Sequence, residues 1–456
     1  SVTVKNTDGE EMKSTMFHWD YLPSFTQDGK TTFVENNALA VQDQATPFED
    51  QEFYSADMNG DGISDLISIF AVKLQGNNEQ MYAKIRWGAL DSDGNPQFSS
   101  STNYPLGMNL TVDNWRGRLE RTNGAFPIDF DGDGSLDIII PHEARRNGTE
   151  TTVKFHSLNQ YGINEVYEHT LPHLDSSLPL YATADIDNDG RGEVVILDRD
   201  GVYVGNSESI SYPLTIFGDM IDGISNEFSL RVALPSKPEK LYVSDFNSNG
   251  LNDILILYNG GYTIVWNRGN GMTSETFSDN NKYVGNTIGN IWKIVPGDFN
   301  GDGLIDFLMS TTMESQWDVA FNNGNGTFDR RGAFEIEAYD QDFTSKDDDK
   351  FQCNVFDFDN DGKSDVVITK AMYNKKSSWG STWGEFKNTY TYWMKSNGDP
   401  VSSSPFSKRA EAISDKEEDA TAKFYLTGDF NGDGRIELIN YGYTNCFNAR
   451  SGSKVW

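Results

Sequence analysis

The stretch Asp129-Phe130-Asp131-Gly132-Asp133-Gly134-Ser135-Leu136-Asp137, followed by Ile138-Ile139-Ile140, decides how the rest of the chain is read. Carboxylates stand at positions 1, 3, 5 and 9 and glycine at position 6. The pattern recurs, with Asn or Glu replacing some Asp, at starts Asp57, Asp185, Asp245, Asp298, Asp357 and Asp429. The first loop offers Asp57, Asn59, Asp61 and Asp65, and the second Asp129, Asp131, Asp133 and Asp137. The third offers Asp185, Asp187, Asp189 and Glu193, and the fourth, richest in amides, Asp245, Asn247, Asn249 and Asp253. The fifth offers Asp298, Asn300, Asp302 and Asp306, the sixth Asp357, Asp359, Asp361 and Asp365, and the seventh Asp429, Asn431, Asp433 and Glu437.

This spacing suits a hard cation. Ca2+ takes six to eight oxygen ligands at about 2.3–2.6 Å. Side chains at positions 1, 3 and 5 converge if the chain turns sharply at position 6, where glycine accepts a positive φ. A backbone carbonyl near position 7 and the carboxylate at position 9 can complete the shell. All-oxygen ligands disfavour zinc and copper, and Mg2+ prefers octahedral geometry and keeps its waters. The first six positions also match an EF-hand loop. That motif needs a bidentate Glu at position 12 and a helix on each side. Position 12 here is Ser68, Ile140, Ile196, Ile256, Met309, Ile368 or Asn440, and the run beyond position 9 is mostly aliphatic. A strand is therefore predicted after each loop. A metal-free Asp/Asn/Gly turn explains one copy. Seven copies sharing positions 1, 3, 5, 6 and 9 favour up to seven structural Ca2+.

The formal charge is −32, and 23 of the 69 carboxylates lie in the loops. Seven bound Ca2+ would leave about −18. Such a chain is a poor partner for nucleic acid or an anionic membrane, and no apolar run is long enough to span a bilayer as a helix. The two cysteines, Cys353 and Cys446, form no disulfide framework and are expected to be small core residues. Weak calcium sites work where calcium is abundant, so the expected location is extracellular, secreted or at the cell surface.

The loops begin 72, 56, 60, 53, 59 and 72 residues apart. Each is flanked by apolar runs, and a second apolar run ending in an Asn/Gly turn often follows, as in Phe321-Asn322-Asn323-Gly324-Asn325-Gly326-Thr327-Phe328. One repeat is then about four short strands, and four-stranded units repeated radially make a propeller. The expected fold is all-β: a single seven-bladed β-propeller of four-stranded blades with calcium loops, covering residues 1–456. Residues 51–456 hold the seven repeats. Only 19 residues follow Glu437, so strands within residues 1–50, around Phe17-His18-Trp19, are expected to complete the last blade. The alternative is that residues 1–50 form a separate cap.

Two segments stretch the spacing. The first, about 71–128, carries Trp87, Trp115, Arg116 and Arg118. The second, 371–428, carries Trp379, Trp383, Phe386, Tyr390, Tyr392 and Trp393. Long loops on a rigid scaffold often bind partners, and these aromatics either stack on a ligand or pack between blades.

Asp298-Phe299-Asn300-Gly301-Asp302-Gly303-Leu304-Ile305-Asp306, with Gly324-Asn325-Gly326-Thr327-Phe328 in the hairpin, resembles the FG-GAP/VCBS repeat. The loops are similar to those of integrin α-subunit propellers. The resemblance covers about residues 50–445. It implies seven blades with calcium between the first two strands of each, held by the side chains at positions 1, 3, 5 and 9 named above. The fourth loop departs most from the acidic pattern. Proteins of this kind include adhesion proteins, lectins, polysaccharide lyases and bacterial Rhs/toxin-like secreted proteins, of which this chain resembles a fragment. Fold does not choose among these functions.

The expected function is a non-enzymatic binding or scaffold module for a protein or glycan ligand, acting as a monomer or as part of a larger chain. The alternative is a carbohydrate-active enzyme such as a lyase, or a lectin. Among the five histidines, only His142-Glu143-Ala144-Arg145-Arg146 joins histidine to an acid and arginines, a pattern expected more often of a solvated loop. No catalytic residue is assigned. The chain lacks Gly-x-Ser-x-Gly, His-Glu-x-x-His and a phosphate-binding glycine loop.

Overall fold

The aliphatic run after each acidic loop is the centre of its repeat. In the computed structural model, Ile138, Ile139 and Ile140 open the strand Asp137–Asn147 and are fully buried. Val194–Leu197, Ile254–Leu257, Phe307–Met309 and Val366–Ile368 are buried in the same way. A strand buried on both faces lies between two other layers and loses the polar alternation of an exposed sheet. The structure describes residues 26–27, 30–31, 51–73, 78–99, 102–111, 125–147, 150–171, 179–203, 210–221, 224–278, 293–310, 316–336, 351–378, 381–402, 404–414, 421–444, 446–448 and 453–455.

Every described element is a strand, and the pairings are antiparallel. The chain divides into Ser1–Asn36 and Asn37–Trp456. In the first unit, Thr26–Gln27 pairs with Lys30–Thr31. The expected strands around Phe17-His18-Trp19 lie outside the described residues. The second unit contains six sheets of four or five strands. The first blade is Gln51–Ala56, Asp65–Lys73, Asn78–Arg86 and Thr102–Thr111. The second is Phe126–Ile128, Asp137–Asn147, Glu150–Asn159 and Gly162–Leu171. The third is Leu180–Ala184, Glu193–Leu197, Ile210–Ile221 and Ile224–Leu234, with Val202–Tyr203 added. The fourth is Pro238–Ser244, Asp253–Tyr258, Gly261–Asn267 and Met272–Ser278. The fifth is Lys293–Gly297, Asp306–Ser310, Gln316–Asn322 and Phe328–Glu335. The sixth is Phe351–Phe356, Asp365–Ser378, Ser381–Ser396 and Phe406–Ser414.

Five hydrophobic clusters join successive blades, one at each junction from first to sixth. Alternate residues of one strand serve opposite junctions. Ile138 and Ile140 pack toward the first blade, while Ile139 packs toward the third. Ile254 and Ile256 pack toward the third blade, while Leu255 and Leu257 pack toward the fifth. Two-sided burial by alternation is what face-to-face stacking of blades requires, and each such side chain contributes about 1.5–3 kcal/mol. Inter-blade packing of this kind makes the chain an all-β propeller.

The expected count of seven four-stranded blades is corrected: six such sheets stand among the described residues. The seventh acidic loop joins Thr421–Gly428 to Glu437–Thr444 in a two-stranded sheet. Among the described residues the seventh repeat pairs only its first two strands, and the strands around Phe17-His18-Trp19 expected to complete it lie outside them. A separate short pair, Cys446–Asn448 with Ser453–Val455, lies beyond it.

The stretched spacings have different causes. In the first blade the hairpin Gly88–Leu90 and Pro96–Phe98 is inserted between the third and fourth strands. In the sixth, the second and third strands run to 14 and 16 residues. Tyr392 and Trp393 are buried there, so both are packing residues. The segment His142–Arg146 continues its strand, with a bulge between Glu143 and Arg145, and is not a loop.

Candidate metal centres

Each acidic loop links the first two strands of its repeat, and short hydrogen bonds shape it. The position 1 carboxylate accepts the backbone N–H of position 6 in all seven loops, from Gly62 to Asp57 Oδ2 at 2.8 Å through Gly434 to Asp429 Oδ2 at 2.7 Å. The position 5 side chain accepts the N–H of position 7, as from Ile63 to Asp61 Oδ1 at 2.9 Å. The second contact is an Asx turn, while the first spans five residues and closes the loop on itself. The backbone is left-handed at position 6, as expected, and also at position 4. Gly60, Gly132, Gly301 and Gly432 stand at position 4 in four loops, and Asn188, Ser248 and Asn360 in the others, with φ of 62°, 56° and 56°. No other non-glycine residue among those described has positive φ. Four glycines and two asparagines in one column were a sequence signal for this second turn.

Position 9 plays a larger part than a fourth ligand. Its carboxylate is buried in the first six loops. Asp306 Oδ2 accepts the N–H of Phe299 at 3.0 Å, and Oδ1 accepts the N–H of Asn322 at 2.8 Å. Asp65 does the same with Met58 and Gly88, and Asp253 with Phe246 and Asn267. One carboxylate thus joins the loop to the end of the third strand. Those third-strand partners also reach the preceding blade. Asn267 Nδ2 donates to Ile186 O at 2.7 Å and Asn322 Nδ2 to Phe246 O at 3.1 Å. Position 2 is the apolar anchor: Met58, Phe130, Phe246, Phe299 and Phe430 are almost fully buried. Neither role was assigned from sequence, although position 2 is apolar in every loop.

Burial pushes every position 9 carboxyl up. Asp65, Asp137 and Asp253 rise to about 6, Asp365 and Glu437 to about 7, and Glu193 and Asp306 to about 8. Neighbouring loop carboxylates add to this in each case, as Asp61 and Asp57 do for Asp65.

Four loops bring carboxylate oxygens of three residues within 4.8 Å of one another: Asp129, Asp131 and Asp137; Asp185, Asp187 and Glu193; Asp357, Asp359 and Asp361; Asp429, Asp433 and Glu437. The third is the clearest cradle. Asp185 Oδ1 and Glu193 Oε1 are buried without a hydrogen-bond partner, a costly condition for charged oxygens. Gly218 makes room for the longer Glu193, since a Cβ there would stand 2.8 Å from Glu193 Cγ. A cleft of about 410 Å³ beside this loop reaches Asp187, Glu193, Glu227 and Phe228. In the loops with Asn at position 3, its NH2 group takes up a carboxylate, as Asn300 Nδ2 does to Asp302 Oδ2 at 2.8 Å. The fourth loop differs, with Asn247 Nδ2 on Asp253 Oδ2 at 3.0 Å. In the sixth, Lys395 Nζ is hydrogen-bonded to Asp359 Oδ2 and, at 2.8 Å, to Asp361 Oδ2, while Lys363 Nζ pairs with Asp361 at 2.9 Å. Burial pushes Asp361 up, but the two ammonium groups outweigh it and hold Asp361 below the usual carboxylate range.

The architecture and its repeated loops define the class, an all-β propeller. Residues 245–309, 298–368 and 357–439 match the FG-GAP-like repeat, so residues 245–439 of this chain are FG-GAP-like repeats. No curated protein matches the chain. Among solved structures, an Agrocybe aegerita lectin described as recognising non-reducing terminal N-acetylglucosamine is 16% identical, with a TM-score of 0.48, over 88% of this chain and 92% of its own. The fission yeast complex of SREBP and SCAP binding domains is 14% identical, with a TM-score of 0.43, over 93% and 98%. The Photorhabdus luminescens Tc holotoxin pore is 15% identical, with a TM-score of 0.34, over 75% of this chain and 15% of its own. Membrane-spanning helices are absent among the described residues.

Proposed function

We propose that this chain is a calcium-stabilised, extracellular β-propeller that serves as a binding or scaffold module for a protein or glycan partner. The observation that carries the reading is the third loop, where Asp185, Asp187 and Glu193 converge and two buried carboxylate oxygens lack any donor. The three converging side chains offer carboxylate oxygens, the ligand type a hard dication requires. The residues at positions 1, 3, 5 and 9 would hold Ca2+, which would supply charge neutralisation and no chemistry. In the loops with Asn at position 3, the amide side chain would have to turn its Oδ1 inward to act as a ligand. Strand Thr421–Gly428 touches strands of both the first and the sixth blades.

Sites with Kd of about 10⁻⁴–10⁻³ M, at about 1 mM calcium, each add about 0.4–1.4 kcal/mol to stability. Several such sites rival a domain's net stability. Calcium titration by calorimetry, with thermal melting in calcium and in EDTA, tests the reading. A large fall of the melting temperature in EDTA is expected. An unchanged melt and no binding heat overturn the calcium part. A glycan array then separates a lectin from a protein-binding scaffold.

A further inference from the structure

We propose that Lys395 is the resident cation of the sixth loop, which takes its own ammonium group in place of an external divalent ion. The inference rests on the calcium reading of the other loops and sets their number. By composition the sixth loop is among the strongest candidates for calcium, with aspartate at positions 1, 3, 5 and 9. The tertiary structure brings a lysine to it. Val366 pairs with Met394, so the next step in the register sets Lys395 opposite Asp365. The corresponding step gives Trp87 opposite Asp65, Trp266 opposite Asp253 and Phe321 opposite Asp306. None of these can neutralise a carboxylate.

The Lys395 ammonium group sits against the carboxylates of Asp359 and Asp361, two of the side chains meant to grip an ion. It is four-fifths buried. Lys363, at position 7 of the same loop, holds Asp361 from the other side. The position 9 carboxylate is also engaged differently. Asp365 Oδ2 accepts the indole N–H of Trp393 at 3.2 Å, and Oδ1 accepts the N–H of Ser396 at 2.8 Å. A tethered group competes at an effective concentration of about millimolar or more, while calcium binds weak extracellular sites only at about 10⁻⁴–10⁻³ M. A cation fixed to the third strand therefore keeps this loop closed without calcium.

Calcium bound per chain, counted by equilibrium dialysis with radioactive calcium on the full chain, tests the inference. Lys395→Met is expected to bind one more ion than wild type, and Lys395→Arg the same number as wild type. In the wild-type background, Asp359→Asn with Asp361→Asn is expected to leave the count unchanged, whereas Asp185→Asn with Asp187→Asn in the third loop lowers it by one. Equal counts for wild type and folded Lys395→Met, or a drop on neutralising Asp359 and Asp361, overturn the assignment. The neutralisation arm decides alone if Lys395→Met does not fold. Absence of calcium from every form overturns the calcium reading itself, and this inference with it.

Discussion

The backbone N–H of Ser64 donates to the carbonyl oxygen of Asp429 at 2.6 Å, hydrogen-bonding the first acidic loop to the seventh. Ser64 is position 8 of its loop and Asp429 is position 1. The same bond runs from Leu136 to Asp57, from Gly192 to Asp129 and from Ser364 to Asp298. Asn252 reaches Asp185 O through its side chain at 2.6 Å. The loops therefore brace one another around the propeller, and a cation that stiffens one loop supports its neighbours.

The pH dependence of the calcium-free chain follows from position 9. A carboxyl whose folded pKa is raised favours the fold when protonated. That contribution is complete below the unfolded value of about 4 and is lost as pH rises through the folded value. The folded values run from about 6 to about 8. In EDTA the melting temperature should fall between pH 5 and pH 8, and millimolar calcium should remove or reverse the fall. A calcium-free melt that rises steadily over this interval contradicts the burial argument.

Asp306→Ala leaves the buried N–H groups of Phe299 and Asn322 without their acceptor. Two unsatisfied donors cost about 2–5 kcal/mol together. Urea denaturation in EDTA isolates this loss from any calcium effect. The same change at the exposed Asp329 should stay within about 0.5 kcal/mol.

Gly218→Ala places a methyl group against Glu193 Cγ. Overpacking of this kind costs about 1–3 kcal/mol and should weaken calcium binding at the third loop. Glu193→Asp restores the shorter acid used in other blades, so the double variant should recover most of the stability. Failure of rescue in a double-mutant cycle would remove the claim that Gly218 exists to admit Glu193.

Ser248 holds a left-handed backbone at φ 56° without the amide that helps asparagine there. Ser248→Gly should stabilise the chain by about 0.5–1 kcal/mol, the relieved strain being partly offset by backbone entropy. Asn188→Gly and Asn360→Gly should gain less. Matched chemical denaturation curves rank the three.

Phe246 anchors the fourth loop at the junction of the fourth and fifth blades. Phe246→Ala should cost about 3–5 kcal/mol, measured by denaturation, and should narrow the cooperative unit if the blades then separate.

The amino-acid sequence alone determined the recurrence of the loops, their turn at glycine and the strand after each, which is buried after the first six. It did so because those features rest on contacts within nine residues, such as Asp57 with Gly62 and Asp61 with Ile63. The alternating burial of Ile138, Ile139 and Ile140 on two junctions follows from strand period once a propeller is assumed. Only the tertiary structure decided which carboxylates converge, what position 9 holds and which loop carries its own cation. The amide-rich fourth loop drew doubt from composition, yet the acid-rich sixth is the one entered by a lysine. Lys395 lies 36 residues from Asp359 and meets it only because the long second and third strands of that blade pair in one register. Hydrogen bonding and burial across such a separation depend on folding, which local spacing does not encode.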